Sequence, residues 1–373
     1  SLLAPAGVEY TLVDDNHFLG AGFDPGRLFG TFVAEDQGLA VRLIPGLKSL
    51  RYLIPYRSPE EVIGFFRDAV REHPSGIAAM GDDMEKFGVW PGTYDHCYVG
   101  GWLERFVAAL EENQDWLATV PPGEAVSSQP ALGRADLPAC SYAEMSEWAL
   151  PTSARVRFQA VEKEFASRED VLAFLRGGFW RNFLTKYPES NLMQKKMMLV
   201  SKKLHVLEAK LTGDAKARQS LNEAKADLLR GQSNDAYWHG VFGGLYAPHL
   251  RNAVWGPLVR AEFFVDSASH HGASFAELER FDFDFDGYEE IYVTSNRAAV
   301  LLSPEDGGTI VAMDFRPAGI TLINSLMRRP ETYHARLGQT NAGSERVASI
   351  HDQVRAKETG LEKRLRYDRW ARH

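Results

Sequence analysis

The pattern of apolar and polar positions divides the chain into three stretches. In the first, short apolar runs alternate with amphipathic stripes. Val8-Glu9-Tyr10-Thr11-Leu12-Val13 predicts a strand ending in the polar cluster Asp14-Asp15-Asn16-His17-Phe18. Leu39 to Pro45, Arg51 to Pro55, Gly76 to Met80 and Trp116 to Val120 predict further short strands. Ser58-Pro59-Glu60-Glu61 is a capping box with proline at the first helical position. It opens a helix with the stripe Val62, Phe65, Phe66, Ala69, Val70, which His73-Pro74-Ser75-Gly76 ends. Trp102, Leu103, Phe106, Val107 and Leu110 mark another helix, and Val120 to Ala139 reads as a long loop. Strands alternating with helices predict a parallel α/β barrel or sheet, with the chemistry at the C-terminal ends of the strands.

From about Ser153 to Leu250 the pattern is helical throughout. Met193, Met197, Val200, Leu204, Leu207 and Leu211 recur at spacings of four and three, which predicts a seam packed on a partner helix rather than a pliable binding groove. Beyond about Trp255 the period becomes two, as in Ile291 to Thr294 and Ala298 to Leu302, with a turn at Glu305-Asp306-Gly307-Gly308 between runs. That predicts the start of an antiparallel sandwich. The expected divisions are therefore 1–150, 151–254 and 255–373, with a charged tail from Ser344 that fits no completed core. No internal repeat is visible.

Composition narrows the partners. The 373 residues are 45% hydrophobic and carry a net charge of −8, with no Lys/Arg-rich patch or tail, so neither nucleic acid nor an anionic membrane is expected as partner. A neutral or small partner fits better, and a homodimer is a further expectation. No apolar run reaches transmembrane length. Cys97 and Cys140 alone make no disulfide framework and no metal-ligand spacing, which points to a reducing, cytoplasmic compartment. The start at Ser1 and the end at His373 both look cut, so a signal peptide upstream stays open.

The densest chemistry lies in Gly81-Asp82-Asp83-Met84-Glu85-Lys86-Phe87-Gly88-Val89-Trp90-Pro91-Gly92-Thr93-Tyr94. Three carboxylates, Asp82, Asp83 and Glu85, stand at the end of an apolar run beside the aromatic Trp90, the make-up of a polar site with an aromatic wall. Asp14 and His17 form a second polar cluster after a strand; turn chemistry explains it as well as a site does. Asp235, Tyr237, Trp238 and His239 lie in a glycine-rich run, although glycine costs about 1 kcal/mol at each helical position. A packed helix junction around a hydrogen-bonded core His239 is the plain alternative. Tyr142-Ala143-Glu144-Met145-Ser146-Glu147-Trp148 again joins two carboxylates to two aromatics. Asp282, Asp284 and Asp286, followed by Gly287 and Glu290, resemble a D-x-D-x-D-G calcium loop. It is no EF-hand, because Val293 stands where the bidentate glutamate belongs. A strand with Asp on its wet face and Phe on its core face is the alternative. A structural Ca2+ is expected there, and no cofactor for catalysis.

Asp82 to Trp90, Asn234 to Gly240 and Tyr142 to Trp148 together resemble segments of glycoside hydrolase family 57, within it the 4-α-glucanotransferases. Three long, unlike motifs occur in the expected order over nearly the whole chain. The resemblance implies an α/β fold: the C-terminal part of a (β/α)7 barrel, then a helical domain closing the cleft and the start of an antiparallel β-sandwich. It implies retaining chemistry on α-1,4-glucans, with Asp83 as general acid/base. The substrate-binding set it suggests is Asp14, His17, Asp82, Glu85, Trp90, Asp235, Tyr237, Trp238 and His239. By position alone, Asp82 and Asp83 are interchangeable. Retention needs two carboxyl groups about 5–5.5 Å apart, one protonated and one ionised, and crowded acids such as Asp82, Asp83 and Glu85 are expected to oppose one another's ionisation. The family's nucleophilic glutamate belongs to a strand ahead of Val8, upstream of Ser1, so this chain alone is expected to be inactive.

Three other readings remain. An α-amylase or amylopullulanase uses the same carboxylates with water as acceptor. A non-catalytic glucan-binding protein would keep the aromatic residues alone. A metal-dependent hydrolase is weaker, because no H-x-H or H-E-x-x-H spacing appears.

Overall fold

The computed structural model describes residues 2–210, 215–240, 243–327 and 329–336. Leu211 of the apolar stripe, Val241 and Phe242 of the aromatic run, and the tail from Ser344 lie outside them. The chain forms two compact units, the first made mainly of residues up to 147 and 153–179, the second mainly of 148–152 and 180–334. No helix among the described residues is long and apolar enough to cross a membrane.

In the first unit β1 (Tyr10–Asp14) runs directly into α1 (Asp15–Gly20), whose N-cap is Asp14. β2 (Phe32–Asp36) and β3 (Leu39–Gly46) form a hairpin. Its two-residue turn, Gln37 and Gly38, has φ of 52° and 82°, the twist that a tight hairpin prefers. Then follow α2 (Lys48–Leu53), α3 (Pro59–Glu72), α4 (Trp102–Glu112), α5 (Pro122–Ser128) and β4 (Gly133–Arg134). The sheet order is β1-β3-β2-β4, with β1–β3 and β2–β4 parallel and β2–β3 antiparallel. α6 (Ala143–Trp148), α7 (Thr152–Glu164) and α8 (Glu169–Leu172) complete this stretch. Phe18, Leu28, Phe32, Leu43, Leu50, Val62 and Trp102 lie in one buried core. The capping box of α3 is present in full, with Ser58 Oγ accepting from Glu61 N–H and the Glu61 carboxylate accepting from Ser58 N–H.

Several expected strands are something else. Arg51 to Pro55 ends a helix, because Leu50 and Ile54, four residues apart, both enter the core at 2% and 5% exposure. The run Gly76 to Met80 makes only one parallel bridge, Ala79 beside Gly46, with Leu47 N–H donating to Ala79 O at 2.9 Å. Trp116 and Leu117 fold back on Asn113 instead: both backbone N–H groups donate to its carbonyl, and the Trp116 indole donates to its side chain at 3.0 Å. The stretch Val120 to Ala139 holds α5 and β4 rather than one long loop. The sheet is also mixed rather than all parallel, because the β2–β3 turn brings the chain straight back.

The second unit begins with α9 (Asn182–Lys186), α10 (Pro188–Lys210), α11 (Ala215–Arg230) and α12 (Pro248–Ser269). Met193, Val200, Leu204 and Leu207 are buried on α10, which packs on both α11 and α12, so the stripe is a helix seam. Trp255 lies inside α12, and period two begins only after it. Gly256 and Pro257 interrupt the sequence signal there. Gly256 has a structural reason: a Cβ would stand 3.0 Å from Gly319 O, so the helix admits a close backbone. β5 (Ala276–Phe281), β6 (Glu290–Ser295), β7 (Ala298–Ser303), β8 (Thr309–Phe315) and β9 (Ile320–Thr321) form an antiparallel meander in chain order.

Helices and meander share a buried ionic cluster. Lys196 Nζ of α10 lies 2.5 Å from Glu262 Oε2 of α12, 2.6 Å from the Tyr292 hydroxyl of β6 and 3.1 Å from Asp314 Oδ2 of β8. Lys203 reaches Glu262 at 2.9 Å and Asp266 at 3.1 Å, and Arg316 pairs with Asp266. Three cations face three carboxylates, which compensates charges that burial alone would make very costly. Burial raises the Glu262 carboxyl, but Lys196, Lys203 and Arg316 outweigh it and hold the group well below the usual carboxylate range.

Candidate active site

The first unit gathers polar groups where its parallel strands end. Asp14 closes β1, Gly46 closes β3, and the bridge at Ala79 leads two residues later into Gly81 and Asp82. Arg51, one turn into α2, is the hub. Its Nη1 lies 3.2 Å from Asp14 Oδ2, its Nη2 lies 3.7 Å from Glu144 Oε1, and its guanidinium sits 5.3 Å over the Tyr142 ring. The Tyr52 hydroxyl donates to Glu144 Oε1 at 2.6 Å. Burial pushes Asp14 up, against the lowering effects of the Asn16 N–H and Arg51. For Arg51, burial lowers the pKa, and the charges of Glu144, Asp14 and Asp82 together more than offset it.

Asp82 and Asp83 are neighbours with opposite environments. The Asp82 side chain is buried and takes the ammonium of Lys86, four residues on; Lys86 Nζ also donates to Arg51 O. Asp82 Oδ1 accepts the Asp83 N–H at 2.9 Å, which fixes the start of the short 3-10 turn Met84–Phe87. Asp83 itself is exposed. Lys86 compensates Asp82, and Glu85 is exposed on the turn. Burial lowers the Lys86 pKa against the raising effect of Asp82. Tyr56, with Lys86 Nζ 5.2 Å over its ring, is pushed up to about 12 by burial and by Asp82. Trp90 is half-buried, and its carbonyl accepts from Thr93 Oγ1 at 2.7 Å.

His17 does not display a free imidazole. Its Nδ1 lies 3.1 Å from Asp14 O and its Nε2 3.0 Å from Cys140 O, so the ring ties the end of β1 to the 140 segment. Asn16 Nδ2 donates to Ser141 O at 3.0 Å beside it. Of the residues these contacts join, the sequence reading names Asp14 and Asp82 as candidates and omits Arg51, Tyr52, and the individual roles of Lys86 and Glu144. The i, i+4 spacing of Asp82 and Lys86 was the available signal for one of these.

Asp235, Tyr237, Trp238 and His239 belong to the second unit. Asp235 is exposed on the 3-10 turn Asn234–Tyr237. Tyr237 is 3% exposed, and its hydroxyl donates to Gly231 O at 2.5 Å, the geometry of a core residue. His239 is buried, with Nδ1 3.1 Å from Gly243 O and its ring edge-on to Tyr246. Trp238 stacks on Trp148 with centroids 5.7 Å apart and planes 8° from parallel. That stack explains a glycine: a Cβ at Gly240 would lie 2.6 Å from Trp148 and 2.8 Å from Trp238. Gly244, at φ +51°, would bring a Cβ within 2.2 Å of Trp238 O. Nearby, Glu331 accepts from the Tyr187 hydroxyl at 2.6 Å and the Tyr246 hydroxyl at 3.1 Å.

In the turn before β6, ligand atoms of Asp282, Asp284 and Glu290 all lie within 4.8 Å of one another. Asp284 Oδ1 is buried without a hydrogen-bond partner among the described residues. Asp282 accepts from the Asp286 and Gly287 N–H groups, and Glu290 from Phe283 N–H, so the backbone holds the carboxylates in place. Asp286 stands outside the group and accepts Tyr288 N–H at 2.9 Å. Burial, then the neighbouring Asp286 and Asp282, raise Asp284; Glu290 is also raised, chiefly by burial. Hard, crowded, partly desolvated oxygens suit a cation such as Ca2+.

Comparison with known proteins gives a consistent picture. Residues 1–138 match glycosyl hydrolase family 57, residues 178–265 the alpha-amylase/4-alpha-glucanotransferase middle domain, and residues 282–373 the C-terminal domain of the same group. The chain is 40% identical over 369 residues to alpha-amylase 1 of Dictyoglomus thermophilum, covering 98% of this chain and 52% of that protein. It is 37% identical over 372 residues to a 4-alpha-glucanotransferase of Thermococcus litoralis, covering 98% and 53%. The crystal structure of the 4-alpha-glucanotransferase from Thermococcus litoralis superposes with a TM-score of 0.77 at 37% identity, over 90% of this chain and 49% of that one. The chain spans about half the length of the curated relatives it matches. With three segments of one kind of enzyme in order along most of its length, the chain belongs to glycosyl hydrolase family 57.

Proposed function

We propose that the protein acts on α-1,4-glucans as a retaining 4-α-glucanotransferase, with Asp83 as general acid/base. The observation that carries this is the contrast between two adjacent carboxylates: Asp82 is buried on Lys86, while Asp83 is exposed on a backbone that Asp82 fixes. A general acid must reach the glycosidic oxygen, and of this pair Asp83 is the exposed one. Asp83 then gives its proton to the leaving sugar and takes one from the incoming hydroxyl, while a second carboxylate attacks the anomeric carbon. Trp90 supplies an apolar face beside it. In this reading the four-stranded sheet is part of a (β/α)7 barrel, and the five-stranded meander opens a β-sandwich.

Hydrolysis is the second reading, favoured by the name of the 40% identical relative, an alpha-amylase. Both reactions use the same carboxylates and differ in whether a sugar hydroxyl or water accepts the glycosyl group. Incubating the longest natural protein that carries this sequence with maltotriose separates them. A ladder of longer and shorter maltooligosaccharides with little new reducing sugar is the result for transfer. Rising reducing sugar without longer products makes the protein an amylase, and no change in maltotriose contradicts both.

The same protein is proposed to hold one structural Ca2+ between Asp282, Asp284 and Glu290. Support comes from the convergence of their oxygens and from the buried, hydrogen-bond-free Asp284 Oδ1. The ion would tie the turn to β6 and take no part in the glucan chemistry.

A further inference from the structure

We infer that Tyr94 and Tyr98 form a second carbohydrate platform on the first unit, which takes α-1,4-linked glucan chains; the inference rests on the glucan-acting function proposed above. Residues 95–99 adopt a single turn of π-helix, in which Gly100 N–H reaches back to Asp95 O. Such turns are rare and occur often at functional sites. The rings at 94 and 98, four residues apart, lie with centroids 5.3 Å apart and planes 34° from parallel. Both tyrosines are exposed, at 59% and 51%, and Met84, Val89 and Val99 beside them in sequence are each more than 70% exposed.

So much apolar side chain turned outward on one short segment points to a ligand. Five exposed side chains are few against the roughly 20–30 residues that a stable protein interface engages on each side. A sugar fits better. A pyranose presents a patch of C–H bonds that lies flat on an aromatic face. The ring spacing is comparable with one sugar unit. The tilt matters too: a flat β-1,4 chain asks for coplanar rings, whereas an α-1,4 chain curves as two tilted rings do. The platform also continues the candidate catalytic segment. Met84 follows Asp83 directly, and Gly88, at φ +138°, would bring a Cβ within 2.9 Å of the Tyr98 ring. Glycine there lets the 84–92 loop lie against the platform.

The test is calorimetric titration of the longest natural protein that carries this sequence, with Asp83→Asn to prevent turnover, using maltoheptaose and, as the flat control, cellohexaose. Tyr94→Ala and Tyr94→Phe are compared with that protein without a change at Tyr94, each checked by circular dichroism and sedimentation. Tyr94 is chosen because Tyr98 packs on Gly88. The expected result is maltoheptaose binding weakened about tenfold in Tyr94→Ala, the worth of one buried ring face, and retained in Tyr94→Phe. Cellohexaose binds weakly to all three. Unchanged maltoheptaose affinity in a folded Tyr94→Ala overturns the platform and leaves the proposed function standing. So does a variant that turns a dimer into a monomer at constant glucan affinity, which makes the patch a contact between copies. No maltoheptaose binding by that protein without a change at Tyr94 contradicts the glucan-acting reading itself, and the platform with it.

Discussion

Arg51 Nη1 lies 3.2 Å from Asp14 Oδ2, so the helix that follows β3 holds the carboxylate that ends β1. The same guanidinium reaches Glu144, and its own backbone carbonyl accepts from Lys86. One residue therefore joins four segments that are distant in sequence. Replacing its side chain should release Asp14 and Glu144 together, while its backbone carbonyl keeps the contact with Lys86. Arg51→Met is expected to destabilise the chain by about 3–5 kcal/mol, because it leaves Asp14 and Glu144 as half-buried like charges. Adding Asp14→Asn should recover part of the loss, a coupling that urea unfolding of the two single variants and the double variant measures. Strict additivity would show that the contact does not organise the site.

In the second unit, Lys196→Met should cost a similar amount, about 3–5 kcal/mol, by removing the central cation of the buried cluster. The pH dependence has a definite sign. Glu262 titrates below its ordinary value of 4.5, so its contribution is complete above that value and is lost as pH falls toward the folded one. Lys196 titrates above its ordinary 10.5, so its contribution is complete below that and is lost only as pH rises through the folded value. The urea midpoint should be flat through neutral pH and fall in acid, and Lys196→Met should flatten the acid limb. An acid limb identical in the variant would contradict this account of the cluster.

The turn at 282–290 behaves in the opposite way. Asp284 and Glu290 titrate above their ordinary values of 3.8 and 4.5, so their contribution to stability is present below those values and lost as pH rises. A bound Ca2+ would replace the missing protons. Millimolar CaCl2 should therefore raise the melting temperature at pH 7 and do little at pH 4, and Asp284→Asn should abolish the effect. Equal melting curves with CaCl2 and with EDTA at pH 7 would remove the ion from the account.

Much of this was legible in the sequence where one local rule acts alone. The α3 capping box, the β1 and β3 strands and the α10 seam follow from spacing and side-chain type, and the structure forms them. Where two rules compete, the reading fails. Arg51 to Pro55 is rich in strand-forming residues, yet the core accepts Leu50 and Ile54 at helical spacing. Trp255-Gly256-Pro257 carries helix-breaking residues, yet α12 passes through them because Gly319 needs a close approach. The candidate site divides in the same way. Asp82 and Asp83 stand out in one run, but Arg51 and Glu144 join them only through folding, and no local pattern shows a contact across 93 positions. The glycines around His239 were legible as unusual, and their cause, the Trp148–Trp238 stack, arises only when residues 90 positions apart meet in the fold.

The central claim is that Asp83, rather than its neighbour, handles the proton. The most direct measurement compares Asp83→Asn and Asp82→Asn in the longest natural protein that carries this sequence, following maltooligosaccharide redistribution alongside thermal unfolding. Asp83→Asn should lower the rate about 10²–10⁴-fold in a protein that still folds, since the general acid is lost. Asp82→Asn should lower the melting temperature, because it strands the Lys86 ammonium in the interior, and should lower the rate far less. A large loss of rate in Asp82→Asn with Asp83→Asn active would reverse the assignment and contradict the account.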